Sequence, residues 1–293
     1  TEASSSAATA MGNETTASAA NATAMGRQTT ASGTEATAMG TSTTASGDAS
    51  VATGSITTAS GDNATSMGFA TIASGADATA MGSETNATGF IATAMGFDTE
   101  ASSDFATAMG KETTASGEAA TAMGNKTEAS GVDATAMGNE TTANGDRATA
   151  MGFQTTASAV DATAMGNETE ASGFAATAIG NNTVAAGGTS LSIGQWNSAN
   201  RAQLSQVILV AGNGSIGSRS DALVLDSNGN LEISGTLTES SDQRLKTSIR
   251  PIEGETMAKL SRLRPVRYQF KNQETHPSGE QIGLVAQDVR EEF

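Results

Sequence analysis

A fourteen-residue period constrains this chain more than any other feature. Glycine stands at Gly12, Gly26, Gly40 and every fourteenth position to Gly194, without a slip. The residue before each glycine is Met, except where Thr53, Ile179 and Ile193 take the slot. Four residues after that slot is always Thr, from Thr15 to Thr183, and six after it always Ala, from Ala17 to Ala185. The consensus is A-T-A-M-G-x-x-T-x-A-S-G-x-x. Self-similarity at a fixed period marks a repeat architecture, and fourteen residues are too few for helical hairpin repeats, which need ~33 to 47.

Each unit divides into two short stretches of period-two alternation, A-T-A-M and T-x-A-S, each followed by Gly and two loose residues. Glycine supplies the positive φ of a tight corner, and Asn or Asp tolerates it. One unit is therefore one flattened coil of two strands and two corners. Coils stacked at the ~4.8 Å strand spacing give a rod of ~60 Å, with every backbone group paired to the coil above or below.

Alternation divides each strand into two faces. In the first strand Thr and Met share one face and the two Ala the other; in the second, the fixed Thr and Ala oppose the variable residue and Ser. Thr, Met, Thr and Ala are expected inside, because an unbranched thioether fills irregular gaps and Ile replaces it at similar volume. The remaining face, Ala22, Ala24, Ala36, Ala38 and their equivalents, is only Ala or Ser. It is expected to lie flat against sister chains, since a roll with so small a core buries little apolar area for the entropy it must offset. The alternative for the Met ladder, soft-metal binding, has no Cys, a single His (His276) and Ile in equivalent slots against it. No metal and no cofactor are expected.

Composition agrees with a solenoid rather than a conventional core: 3% of residues are aromatic and 33 are Gly. The formal net charge of −16 falls mainly on the repeats, whose acidic surface repels phosphate backbones, so nucleic acid is not an expected partner. No apolar run approaches the ~20 residues of a membrane span, so no membrane insertion is expected of this stretch. The absence of cysteine excludes disulfides and leaves the compartment open. The chain starts without Met and stops inside a motif, which suits a fragment or processed product whose targeting signals lie elsewhere.

On these residues, units such as "ATAMGNETTAS" with a paired glycine pattern resemble the YadA-like head repeats of trimeric autotransporter adhesins, over residues 1–194; the usual "VAIG" strand is here "TAMG". The resemblance implies an all-β fold, a left-handed parallel β-roll (a β-solenoid of fourteen-residue coils) assembled as a parallel homotrimer. It also implies attachment to a receptor or glycan from an extracellular position, on a cell surface or a virion fibre. Neither handedness nor three-fold symmetry follows from the period. Corner residues Phe69, Phe97, Phe153, Phe90 and Phe174 are either adhesive anchors or covers for neighbouring coils and subunits. Ice binding through Thr ladders is a competing reading, weakened because those ladders are expected to face inward and no T-x-T array recurs. Sequons at Asn13, Asn139 and Asn167 are read as corner chemistry.

After Gly194 the register ends. Trp196 supplies a larger apolar cap, and "ALVLDSNGNLEIS" alternates around Asn228-Gly229 as a hairpin. Residues 195–240 are thus a β-rich neck, and 241–293 a small, truncated α+β segment. There Met257, Leu260 and Leu263 share a helix face closed by Pro265, and Val266, Tyr268 and Phe270 alternate as a strand. Spacing alone favours Ser241 or Asp242 as a helix cap with Lys246 solvated.

"SSDQRLKTSIRPIEG" with "LSRLRPVRYQF" and "GEQIGLVAQDV" resembles the start of the endosialidase-type intramolecular chaperone of phage tailspikes and related fibres. That family trimerises a β-fibre and then cuts itself off with a Ser-Lys dyad. The resemblance implies Ser241 as nucleophile, Lys246 as general base, Ser240–Ser241 as the scissile bond, and supporting roles for Asp242, Arg244 and Leu245. Any enzyme activity is then at most a single-turnover self-cleavage. The segment is shorter than the family's domain, lacking its later helices. The competing class of function is a self-processing protein whose proteolytic release is the output.

Overall fold

The computed structural model describes residues 1–198, 207–235, 258–259, 262–269 and 280–284. It divides into two units, Thr1–Ser234 and Gly235–Phe293. The first is a β-solenoid. Each coil contributes a first strand such as Thr23–Arg27 and a second such as Thr30–Ala31. Both pair in parallel with their counterparts fourteen residues on, so that Thr23 lies beside Thr37, Met25 beside Met39 and Ala31 beside Ala45. The expected period is thus the physical repeat, and its backbone groups are consumed between coils: Thr23 N–H donates to Ala36 O at 2.9 Å and Thr30 N–H to Thr43 O at 2.8 Å.

The corners differ from expectation in one respect. The first glycine of each unit does take positive φ, 128° at Gly12 and 132° at Gly124. The second, as at Gly33, does not, and is required by room instead: a Cβ there would stand 2.0 Å from the carbonyl oxygen of Gly47. The left-handed residue of each corner is a non-glycine recurring every seven residues, Glu14, Asn21, Gln28, Glu35 and onward, with φ near 55°. Asn and Asp fill some of these places, but Ile56 and Ile91 also occupy them, although left-handed backbone strains β-branched residues.

The interior corrects the facial assignment of the first strand. The second strand behaves as expected, with Thr29 and Ala31 fully buried. In the first strand it is Ala22, Ala24, Ala36, Ala38 and their equivalents that are fully buried, while Thr and Met point outward. Corners only a few residues long hold the two strands too close for methionine; Ala, Ser and the slim Thr fill the space, and a longer chain would overpack it. Restriction to Ala or Ser therefore reports the inside of the roll, not a contact with a sister chain. The fixed Thr ladder is inward, and twelve of its hydroxyls, from Thr15 to Thr183, have no hydrogen-bond partner. Thr71 is the exception, its Oγ1 lying 2.7 Å from Ser66 Oγ, the one serine among the inner alanines of that region.

The solenoid ends in a cap. The first-strand ladder takes one further member, Val207–Asn213, with Leu191 beside Leu209 and Gly194 beside Gly212. The chain then turns antiparallel through Asp221–Asp226 and Leu231–Ile233, the hairpin expected around Gly229, whose φ is 80°. Val207, Val210 and Val224 form its small core. In the second unit Ala258, Lys259 and Arg262 are helical, and Val266–Tyr268 pairs antiparallel with Gln281–Gly283. Arg267 bonds Glu280 at 2.7 Å beside that pair. Met257, Leu260 and Phe270 lie outside the described residues.

Candidate functional site

With alanine inside, the outer face of the first strands carries a continuous apolar ladder. The ladder of eleven methionines between Met11 and Met165, continued by Ile179 and Ile193, runs unbroken except at Thr53. Most of these side chains are half-buried by their neighbours along the ladder; Met11, Met67, Ile179 and Ile193 are exposed. Thr23, Thr37 and their equivalents flank it. The stripe spans thirteen coil intervals, ~60 Å at ~4.8 Å per strand, and apolar patches of such extent mark association surfaces. The outer face of the second strands is different, bearing Thr16, Thr30, Thr44 and Thr58 beside exposed Ser18, Ser32, Ser46 and Ser60, with Glu100, Glu128 and Glu170 further on.

Corners carry polar ladders one coil apart. Gln28 donates to Glu14, Gln154 to Glu140 and Asn182 to Glu168. Asn139, one of the sequon residues, donates to Asn125, and Asn181 to Asn167. Asp48, Asp62, Asp104 and Asp146 each accept the backbone N–H of the residue one coil before them. The corner phenylalanines Phe69, Phe97, Phe153, Phe90 and Phe174 are all exposed, and so is Phe105, which the repeat pattern did not single out.

At the cap, Asn197 does what the next second strand would have done. Its Oδ1 accepts from Val184 N–H at 2.7 Å and its Nδ2 donates to Val184 O at 2.8 Å. Arg219 lies over the Trp196 ring at 5.5 Å and donates to Asn182 O at 2.9 Å, to Asn197 O at 3.2 Å and to the Asn182 side chain. Trp196, expected as an apolar cap, stands half-buried at a left-handed corner while Val207, Val210 and Val224 form the cap's core, and its cation partner had no signal in spacing.

The residues of the expected dyad, Ser241 and Lys246, lie outside the described residues, as do Ser240, Asp242, Arg244 and Leu245. Among the described residues no helix is long and apolar enough to cross a membrane.

Two family models match the chain. The YadA head domain repeat matches 3–29, 31–55, 59–85, 87–113, 115–141, 143–169 and 171–199. The chain belongs to the YadA head repeat family. The second model, the chaperone of endosialidase, matches residues 241–293. No curated protein matches. The YadA head repeats thus account for the whole solenoid and reach Trp196 and Asn197, so the start of the cap is part of the matched pattern.

Proposed function

We propose that the chain is the shaft of a homotrimeric surface or virion fibre that mediates attachment. Its parts are head repeats at 1–194, a neck at 195–240 and the start of an intramolecular chaperone at 241–293. The observation that carries this reading is the outward Met ladder. A single chain leaves a ~60 Å apolar stripe in water, and copies packed through it bury a surface that the small interior cannot supply. Both matched families support a three-fold assembly. The oligomer expected from the alanine face is thereby retained, on the opposite face of the strand.

The chain has no cysteine, which makes the test clean. Under mild oxidation, Met109→Cys and Met137→Cys in the full chain give interchain disulfides, whereas Thr114→Cys on the second-strand face does not. Cross-linking through Thr114 alone, or a monomeric mass in light scattering, overturns the assignment.

In the same reading the C-terminal segment is released once assembly is complete, by attack of Ser241 on the Ser240 carbonyl. Lys246 takes the hydroxyl proton and returns it to the departing Ser241 amine, leaving an ester between Ser240 and Ser241 that water hydrolyses. Attack on the immediately preceding peptide needs little chain closure. Mass spectrometry of the protein is expected to show release abolished by Ser241→Ala and by Lys246→Ala; cleavage unchanged in Ser241→Ala removes that residue from the mechanism.

A further inference from the structure

Seven exposed large aliphatic or aromatic side chains fall between Ile56 and Phe105: Ile56, Phe69, Ile72, Phe90, Ile91, Phe97 and Phe105. Within this belt one corner has a local structure of its own. Phe90 and Ile91 occupy the second corner of one coil, and Asp104 and Phe105 the equivalent places one coil on. The Phe90 and Phe105 rings meet edge to face, centroids 5.6 Å apart at 81°, while both remain exposed. Such a pair holds both rings without using all of their faces. Ile91 is held at φ 55°, a costly backbone for a β-branched residue, and with Phe105 puts a large apolar group where the other second corners carry Asn, Asp, Glu, Arg, Thr or Ala.

The same corner lacks one backbone hydrogen bond. Where the second glycine is present, as at Gly117, its N–H and that of Ser116 both reach Ala129 O, at 3.3 and 2.9 Å. Ser103 replaces that glycine; only Ser102 N–H bonds Ala115 O, at 3.1 Å, and the Ser103 hydroxyl donates to Ser116 O at 2.6 Å. Beside it lies a shallow notch of about 290 Å³ lined by Ser102, Ser103, Asp104 and Glu118. Ser5, Ala19 and Ala159 also replace the glycine, but Ala7, Asn21 and Asp161 stand where this corner has Phe105. Among the described residues the corner at Ser103 is the one that carries an aromatic pair, and Asp104, beside Phe105 in the chain, also lines the polar recess. One of its oxygens takes Phe90 N–H at 2.9 Å, leaving the other as an acceptor.

We propose that this corner is a glycan subsite for a neutral sugar. A pyranose has one face of C–H groups, which packs on an aromatic ring, and a rim of hydroxyls, which donate to carboxylates and exchange hydrogen bonds with serine. The recess presents two carboxylates, Asp104 and Glu118, and no cation, so an anionic sugar is repelled from it. The apolar part is only three side chains wide, far less than the ~800 Å² per partner of a stable protein interface, which favours a small ligand over a protein. A single open site of this kind binds weakly. The trimeric reading, on which only this step rests, presents three copies on one rod and raises avidity without new contacts.

The test is saturation-transfer NMR on the full chain with lactose, cellobiose and N,N′-diacetylchitobiose at millimolar concentration, and 3′-sialyllactose as the anionic probe. At least one neutral disaccharide receives saturation, strongest on the ring C–H protons, and 3′-sialyllactose receives less. The signal falls at least fivefold in Phe105→Ala and in Asp104→Asn, and is unchanged in Phe153→Ala at another corner. Asp104→Asn keeps an acceptor for Phe90 N–H, so it separates lost binding from lost folding. No saturation of any neutral probe, a signal that survives both variants, or equal saturation of the sialylated probe overturns the proposal. So does a changed oligomeric mass in Phe105→Ala, which would make the pair a contact between copies. Because binding is read in solution, these failures leave the fibre reading standing.

Discussion

The roll and its cap solve the same problem, an unpaired row of backbone groups, by opposite means. In the roll every coil is satisfied by an equivalent coil, so side chains need only be small inside and glycine need only leave room. At the cap the first-strand ladder takes one more member, but among the described residues no second strand follows Val184–Ala185, and individual side chains take over: Asn197 bonds Val184 as a strand would, and Arg219 clasps Asn182, Asn197 and the Trp196 ring. Translation along a rod makes stability a property of neighbours, whereas its termination makes stability a property of particular residues.

Glycine offers the largest contrast. At Gly124 φ is 132° and a Cβ would lie 1.9 Å from Gly138 O, a backbone atom locked in the next coil. Gly124→Ala is expected to cost more than about 4 kcal/mol, beyond the ordinary range for point substitutions, because no side chain can move aside. At Gly229 in the hairpin φ is 80° with nothing within 4 Å of a Cβ, so Gly229→Ala costs only the left-handed backbone, about 1 kcal/mol. Thermal unfolding of the two variants at matched concentration checks this; equal losses would mean that room between coils is not what glycine provides.

Next in size is Asn197→Ala. It leaves a buried N–H and a buried C=O of Val184 without partners, at roughly 1–3 kcal/mol each, so a total of about 2–6 kcal/mol is expected. Faster hydrogen exchange at the Val184 amide should accompany the loss and fade toward the first coils. A variant that exchanges as slowly as the parent protein would show that the side chain is not serving as the missing strand.

Much of this was legible in the residues, and the illegible parts have physical causes. Period, strands, corners and the Asn228-Gly229 hairpin each have a local signature in glycine placement and alternation. The inward face of A-T-A-M did not. Alternation says that Ala-Ala and Thr-Met lie on opposite sides, not which side is inside. Deciding it requires the distance between the two strands of a coil, which the corners set; the restriction of one face to Ala and Ser was the available sign of that narrow interior. Arg219 was hidden because it meets Asn182 across 37 residues, outside any repeat; Asn197 meets Val184 across 13, the spacing of the second-strand ladder, but uses its side chain where each coil uses a backbone carbonyl, and spacing carries no sign of that. The Ser241–Lys246 pair rests on resemblance alone, since spacing favours a helix cap and both residues lie outside the described residues.

A smaller effect separates two kinds of buried threonine. Thr141 Oγ1 has no partner, and replacing a hydroxyl by a methyl of the same shape removes an unsatisfied polar atom. Thr141→Val is therefore expected to be neutral or stabilising by up to about 1 kcal/mol, while Thr71→Val, which removes the side-chain bond to Ser66 but leaves Ser66 Oγ donating to Thr71 O at 2.9 Å, costs up to about 1 kcal/mol. Denaturant midpoints measure both, and the same sign at the two sites would show that the Ser66 bond has no net value.

The smallest expected effect compares two exposed aspartates. In the roll, the Asp161 carboxyl is held below its ordinary value of 3.8, first by its hydrogen bonds with Arg147, at 2.6 and 2.9 Å, and then by that guanidinium's charge. In the cap, Asp226 is also held below 3.8, first by the side-chain amide of Asn230 and then by the backbone N–H of Asn230, with no cation involved. Both values are depressed on folding, so each group contributes stability that is present above pH 3.8 and is lost as the pH falls through its lower folded value. The causes respond differently to salt, because at 1 M the screening length shrinks to about 3 Å and an exposed ion pair weakens, whereas bonds from neutral amides do not. Carboxyl carbon shifts followed by NMR in low and high salt should show the Asp161 midpoint climbing toward 3.8 while that of Asp226 stays put. If both midpoints climb together, the hairpin aspartate is held by the field of distant charges rather than by the bonds that close its turn, and the cap would depend on long-range charge as much as the roll does.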